Sequence, residues 1–186
     1  MLSNLCQKPV LNFCDSPRKV EELFWLISQS QLGRNTLASF LPLYRAKEIS
    51  IEPFPAEIVR ELEKVRLQSD PLGAVYVNDG VTATIYLDMK SEYGALAILL
   101  FHEIIHALDD NLNASGLKLL TRVQREKLIL QSEILAFEKQ YLLANELKEE
   151  FPALRLFLNA RYPKSKILNQ HLRAADIVEL YQLKSA

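Results

Sequence analysis

The chain has 186 residues, with 22 lysine and arginine residues against 23 aspartate and glutamate residues, so its formal net charge is −1. That length suits a single domain with its own core, and 49% hydrophobic with 24% charged residues is typical of an ordinary globular protein. The near-neutral charge argues against binding to nucleic acid or to an anionic membrane through bulk electrostatics.

Residues 1–73 are predicted to form an N-terminal helical part. Ser16 and Pro17 supply a helix N-cap and a first-turn proline, and apolar residues at helical spacing follow. An alternating run that is ended by prolines indicates a short strand at a sheet edge. The predicted elements are a helix over 16–31, a break at 32–35, a helix over about 36–47, an edge strand over 49–54 and a helix over 55–69.

Residues 74–150 are predicted to form a central part, and 151–186 a C-terminal helical appendage. Two β-rich runs surround a tight turn at 78–80, and every later segment has a helical pattern. We therefore expect one α+β domain over 1–186, mostly helical, with a small antiparallel sheet. The predicted elements are strands over 74–77 and 81–88, helices over 92–110 and 120–149 with a loop at 111–116, and two further helices reaching about 161 and 183.

The cysteines and the apolar runs indicate in which cellular compartment the chain is expected. Cys6 and Cys14 are too few for a disulfide scaffold and have no partner pair at zinc-knuckle spacing, so we expect reduced thiols. No secretory signal is visible at the N-terminus, and the longest nearly apolar run, 94–108, is shorter than the roughly 20 residues that span a bilayer. We expect a cytoplasmic protein without a membrane span, although export without a cleaved signal stays open.

The most informative residues lie inside that apolar run, in the sequence Phe-His-Glu-Ile-Ile-His. On a helix, His102 and His106 are separated by about 40° and one turn, so both can bind one metal ion. Glu103 borders the same face, where its carboxylate can act as a general base toward water. Neutral imidazoles leave the charge of zinc uncancelled, so the ion can lower the pKa of water. The alternative is a pair of core histidines with an incidental glutamate.

Zinc in a catalytic site needs a third protein ligand. Asp109 follows His106 by three residues, but its short side chain points away from a metal held between the histidines. The extended motif of the metzincins is excluded, because Leu112 stands six residues after His106 and no glycine lies three residues after it.

The long downstream helix offers better third ligands. Glu133 has apolar neighbours one turn away on either side, and the small Ala136 on that face permits close approach of two helices. Glu138 is the rival, since apolar residues surround it in a similar way. We prefer Glu133, because two helices must approach closely to share one metal.

At this point the chain resembles the gluzincin metallopeptidases, in which a His-Glu-x-x-His helix precedes a helix with a ligand glutamate. The stretch 133–136 matches the Glu-x-x-Ala form of small gluzincins, and 106–110 is similar to the His-Ala-x-Asp-Asp ending of lethal-factor-type toxin peptidases. The stretch 84–88 looks like the edge strand on which the family binds extended substrate by β-augmentation. The resemblance implies a zincin-like fold and a zinc ion. It also implies that His102, His106 and Glu133 bind the ion and that Glu103 is the base, which makes 74–150 the catalytic core.

The chain departs from thermolysin-like members at Phe137, where those proteins carry an aspartate. The group that orients a ligand histidine must therefore come from elsewhere, and Asp109 or Asp110 is a candidate. Gluzincins also use a Tyr or His to steady the oxyanion, and the sequence does not identify it. The candidates are Tyr141, which follows Glu133 by about two turns, Tyr162 and His171.

The sequence thus predicts a zinc-dependent peptidase that acts on a peptide or protein substrate. Water would attack the scissile carbonyl while Glu103 shuttles the proton to the leaving amine. The alternative is a module that holds zinc but is catalytically inactive, with the C-terminal helices covering the cleft.

Overall fold

The computed structural model describes residues 16–55, 73–78, 80–89, 93–109 and 119–150. The predicted third helix over 55–69 lies outside these residues except for residue 55. The loop at 111–116, everything after residue 150, and Cys6 and Cys14 also lie outside them. Within them the fold is mostly helical with one small sheet, so the predicted α+β class is confirmed. The elements are helices α1 (Ser16–Ser28), α2 (Gln31–Arg45), α3 (Tyr93–Ala107) and α4 (Arg122–Glu150), and strands β1 (Ile49–Pro53), β2 (Ala74–Asn78) and β3 (Ala83–Leu87).

The boundary between α1 and α2 lies earlier than the sequence predicts. The predicted break at 32–35 is wrong, because Ser30 is the N-cap of α2 and its hydroxyl accepts a hydrogen bond of 2.7 Å from the amide of Gly33. Gly33 lies inside the helix for a packing reason. A Cβ atom added there would stand 1.9 Å from the carbonyl oxygen of Ile27, so only glycine permits this close approach.

The three strands form a mixed sheet in the order β1-β3-β2. β2 pairs with β3 in antiparallel register, and β1 pairs with β3 in parallel register. The predicted antiparallel sheet is therefore correct for β2 and β3 and wrong for β1, whose direction depends on the path of the chain between 56 and 72. In the turn between β2 and β3, the Asn78 side chain accepts a hydrogen bond from the amide of Gly80, which has a φ of 89°.

The order of the strands also revises which strand is available at an edge. Among the described residues β1 is an edge strand, as predicted, whereas β3 is paired on both sides. The interpretation of 84–88 as an edge strand that binds extended substrate is therefore wrong, because both rows of backbone groups of β3 are engaged in the sheet. β2 is the other edge of the described sheet.

Helix α3 forms the centre of the core. It packs against α1, α4, β2 and β3, and side chains all around it are buried, including Leu96, Leu100, Phe101 and Ile104. A helix that is apolar on every side is stable only when it is covered on every side. The two histidines and Glu103 on α3 therefore lie in an enclosed place. No helix in the described part of the chain is long and apolar enough to cross a membrane.

Candidate metal centre

Helices α3 and α4 bring three metal-ligating side chains together. His102 and His106 lie one turn apart on α3, and Glu133 faces them from α4. The Nε2 atoms of the histidines are 3.0 Å apart, and each lies 3.4 Å from an oxygen of the Glu133 carboxylate. Two imidazoles and a carboxylate in this arrangement can hold a metal ion. We call these three residues the His–His–Glu cluster.

The spacing of the cluster fits the coordination of zinc. With Zn–N and Zn–O bonds of about 2.0–2.1 Å, two ligand atoms at a tetrahedral angle are about 3.3 Å apart. The separations of 3.0 and 3.4 Å lie on either side of that value. One cation at the centre could therefore contact all three ligands after a shift of a few tenths of an ångström.

The ligands are removed from water. His102, His106 and Glu133 are 7%, 6% and 6% exposed. Burial of ionisable groups is costly unless each charge has a partner. A cation among these three groups would offset the cost of burying the Glu133 carboxylate.

The buried histidines and carboxylates shift one another's pKa values. Burial alone would lower the pKa of His102. The Glu133 carboxylate beside it and the charge of Glu103 outweigh that effect, so the pKa of His102 is above its ordinary value. Burial raises the pKa of Glu133, but hydrogen bonds and charge interactions with both histidines outweigh it and hold that pKa well below its usual range. Glu133 is thus an ionised, acceptor-only carboxylate.

Glu103 lies next to the cluster and is held by the sheet. Its Oε2 atom accepts a hydrogen bond of 2.7 Å from the backbone amide of Tyr76, on the side of β2 that faces away from β3. Burial raises the pKa of Glu103 above its ordinary value, although the two histidines and this hydrogen bond oppose the shift. A raised pKa suits a carboxylate that takes up a proton and later releases it.

The polar groups around the histidines differ from those that the sequence suggests. The Nδ1 atom of His102 is 2.9 Å from Oε1 of Gln140, and the Nδ1 atom of His106 is 3.0 Å from Oγ of Ser132. The sequence offers Asp109 or Asp110 for this place, with facing solvent as the alternative, whereas α4 supplies the described neighbours of both Nδ1 atoms. Asp110 lies outside the described residues, and an orienting role of Asp109 stays a prediction.

Phe137 occupies the position at which thermolysin-like proteins carry an aspartate. Its ring packs edge-on against the imidazole of His102, with ring centroids 4.6 Å apart. The polar partner of that imidazole is Gln140, one turn further along α4. An apolar ring and a neutral amide thus lie beside His102.

None of the other described candidates belongs to the His–His–Glu cluster. Glu138, the rival third ligand, is exposed and does not belong to the group of ligands that the structure brings together. Tyr141 is half-buried, and among the described residues no hydrogen bond or ion pair joins it to the cluster. Its role at the oxyanion stays a prediction. Asp110, Tyr162 and His171 lie outside the described residues.

Sequence reasoning missed Tyr76, Ser132 and Gln140. A weak signal exists for two of them, because Ser132 precedes Glu133 and Gln140 follows it by seven residues, or two helical turns, on the same face. The amide of Tyr76 has no such signal, since a backbone group is independent of residue type.

Comparison with known proteins adds no relative. The chain matches no family model, and no curated protein and no solved structure matches it significantly. The functional interpretation therefore depends on the residues and on the geometry of the centre.

Proposed function

We propose that the chain is a zinc-dependent peptidase of the gluzincin type. The observation that carries this proposal is the convergence of His102, His106 and Glu133, buried, at separations that fit a zinc ion. Two histidines and a glutamate are a ligand set of catalytic zinc, which keeps a fourth position open for water or substrate. When bound, zinc would supply a Lewis acid that lowers the pKa of water and polarises a carbonyl group.

The role of Glu103 follows from its two oxygen atoms. The hydrogen bond from the Tyr76 amide fixes Oε2, which leaves Oε1 to accept a proton from the attacking water. The same oxygen then passes the proton to the amine that leaves as the peptide bond breaks. The raised pKa of Glu103 supports this second transfer, because a weaker acid retains the proton until the amine needs it.

The surroundings of the cluster favour hydrolysis over the other chemistry that the same ligands support. Two histidines and one carboxylate can also hold iron in oxygenases. A buried carboxylate directly next to a ligand histidine, fixed by one oxygen, favours hydrolysis, because hydrolysis needs a base beside the metal.

The test is the isosteric substitution Glu103→Gln, compared with Glu52→Gln, which changes an exposed glutamate on β1. The amide oxygen that the first substitution introduces can still accept the hydrogen bond from Tyr76, so we expect zinc content and melting temperature close to the wild type. Hydrolysis of a broad peptide library should fall by 10²-fold or more, because general-base catalysis typically contributes 10²–10⁴-fold. Glu52→Gln should cleave like the wild type. An unchanged rate in Glu103→Gln would reject the mechanism.

A zinc-holding module without hydrolytic activity is the second candidate. It is favoured by the low exposure of the centre, where His102, His106, Glu133 and Glu103 are all less than 10% exposed. If zinc raises the melting temperature of the wild type and no peptide in the library is cleaved, this second function replaces the first.

A further inference from the structure

Helix α4 contacts both ligand histidines on the ring nitrogen that faces away from the cluster. Oε1 of Gln140 lies 2.9 Å from Nδ1 of His102, and Oγ of Ser132 lies 3.0 Å from Nδ1 of His106. Both polar side chains are 3% exposed. These contacts are therefore enclosed, with little competition from bulk water.

The chemistry of Gln140 decides where the imidazole of His102 carries its proton. A glutamine Oε1 atom only accepts hydrogen bonds, so Nδ1 of His102 must be the donor. A neutral imidazole with the proton on Nδ1 has a free lone pair on Nε2. A serine hydroxyl can accept in the same way, and it then gives His106 the same tautomer. Both lone pairs point into the His–His–Glu cluster.

The spacing along α4 explains how one helix can supply the third ligand and also orient the other two. Ser132 and Glu133 are consecutive, and Gln140 follows Glu133 by two turns, so the three side chains reach His106, the centre and His102 in turn. Phe137 packs against the His102 ring between them and limits its rotation. Helix α3 thus supplies two ligands, and α4 supplies the third ligand and the groups that orient the other two.

We propose that Gln140 and Ser132 are positioning residues that hold His102 and His106 in the Nδ1–H tautomer, so that both Nε2 atoms bind the metal. This inference rests on the proposed zinc site. Both partners are neutral acceptors, and a neutral acceptor increases the basicity of an imidazole less than a carboxylate does. The centre accordingly binds zinc less tightly than the same ligands would with a carboxylate at position 140.

The first test measures zinc affinity of the full chain by competition with a chromophoric chelator. Gln140→Met keeps the length of the side chain and removes the amide oxygen, and Ser132→Ala removes the hydroxyl. Each should weaken zinc binding by about 10–100-fold, which is the usual effect of losing such a partner. Gln140→Glu should bind zinc more tightly than the wild type, because a carboxylate increases the basicity of the His102 imidazole more than an amide does. The matched control Gln131→Met makes the same change at an exposed position of α4 and should leave the affinity unchanged.

The second test reads the tautomer directly in the zinc-loaded wild type, by long-range ¹H–¹⁵N correlation spectroscopy of the histidine rings. Both rings should show a protonated Nδ1 and a zinc-bound Nε2. In zinc-loaded Gln140→Met, the Nδ1 proton of His102 should exchange faster with water, while the signals of His106 stay in place.

The outcomes separate the two claims. If the wild type binds no zinc, the proposed function fails together with this inference. If the wild type binds zinc but Gln140→Met and Ser132→Ala bind it within twofold of the wild type, only the positioning role is overturned. Zinc on Nδ1 of either ring in the wild type also overturns it, and this result does not depend on whether any variant folds.

Discussion

Zinc should stabilise the folded chain, and the substitution Glu133→Gln should remove most of that stabilisation. The carboxylate of Glu133 is within 3.4 Å of both ligand histidines, and it is the only charged ligand of the three. An amide has the same shape, but it lacks the charge that neutralises part of the ion. The variant therefore tests the third ligand without creating a cavity.

The magnitude follows from linkage between binding and folding. At a free zinc concentration one hundred times the Kd, binding to the native state alone adds about 2.7 kcal/mol to the free energy of unfolding. For a chain of this size, 1 kcal/mol corresponds to a shift in melting temperature of about 2–4 °C, so the wild type should gain about 5–11 °C. If the variant binds a hundredfold more weakly, it retains about 0.4 kcal/mol at the same concentration, or about 1–2 °C.

The assay is thermal unfolding at matched zinc concentrations, followed by circular dichroism. Glu138→Gln is the control, because Glu138 is an exposed carboxylate on the same helix and was the rival ligand on sequence grounds. It should show the full wild-type shift. A Glu133→Gln variant that shifts as much as the wild type would refute the ligand role of Glu133, and loss of the shift in Glu138→Gln would assign that role to the rival.

Two further predictions concern the fold and the pH dependence of the centre. Gly33→Ala should lower the free energy of unfolding by about 1–3 kcal/mol in urea titrations, because its Cβ would stand 1.9 Å from the carbonyl oxygen of Ile27; an unchanged midpoint would contradict this packing. Zinc affinity should decrease as the pH falls, starting above the ordinary histidine pKa of 6.5, because the raised pKa of His102 lets protons compete with zinc earlier. An affinity that stays constant between about pH 8 and pH 6 would contradict it.

The helices that carry the site were predictable because their signals are local. The apolar run around His102 extends to both sides of the motif, and the predicted helices over 92–110 and 120–149 correspond to α3 and α4 within about three residues. The two β-rich runs on either side of a tight turn also identified β2 and β3. Periodicity is a property of neighbouring residues, so it requires no knowledge of the rest of the chain.

The features that were predicted wrongly depend on tertiary contacts. A glycine such as Gly33 usually indicates a helix break. In the structure Gly33 lies inside α2, where it approaches Ile27 too closely for a side chain. The parallel pairing of β1 with β3 depends on the path of the intervening chain, which no local pattern encodes. That pairing also places β3 in the middle of the described sheet and removes the predicted edge from residues 84–88.

The residues of the site also differ in whether the sequence could predict them. His102, Glu103 and His106 share a face because of helical geometry alone, and the apolar neighbours of Glu133 marked it as a carboxylate on a packed face. Gln140 and Ser132 look like ordinary polar residues of a long helix, since their burial appears only when α4 packs against α3.

The most direct measurement for this account is the metal content of the purified chain, determined by elemental analysis after reconstitution with zinc, beside His102→Ala. We expect about one zinc ion per wild-type chain and little or none in the variant, because a buried site with two protein ligands binds zinc poorly. A wild type that holds no zinc, one that selects iron when both metals are offered, or a His102→Ala variant that retains zinc at the wild-type level would contradict it.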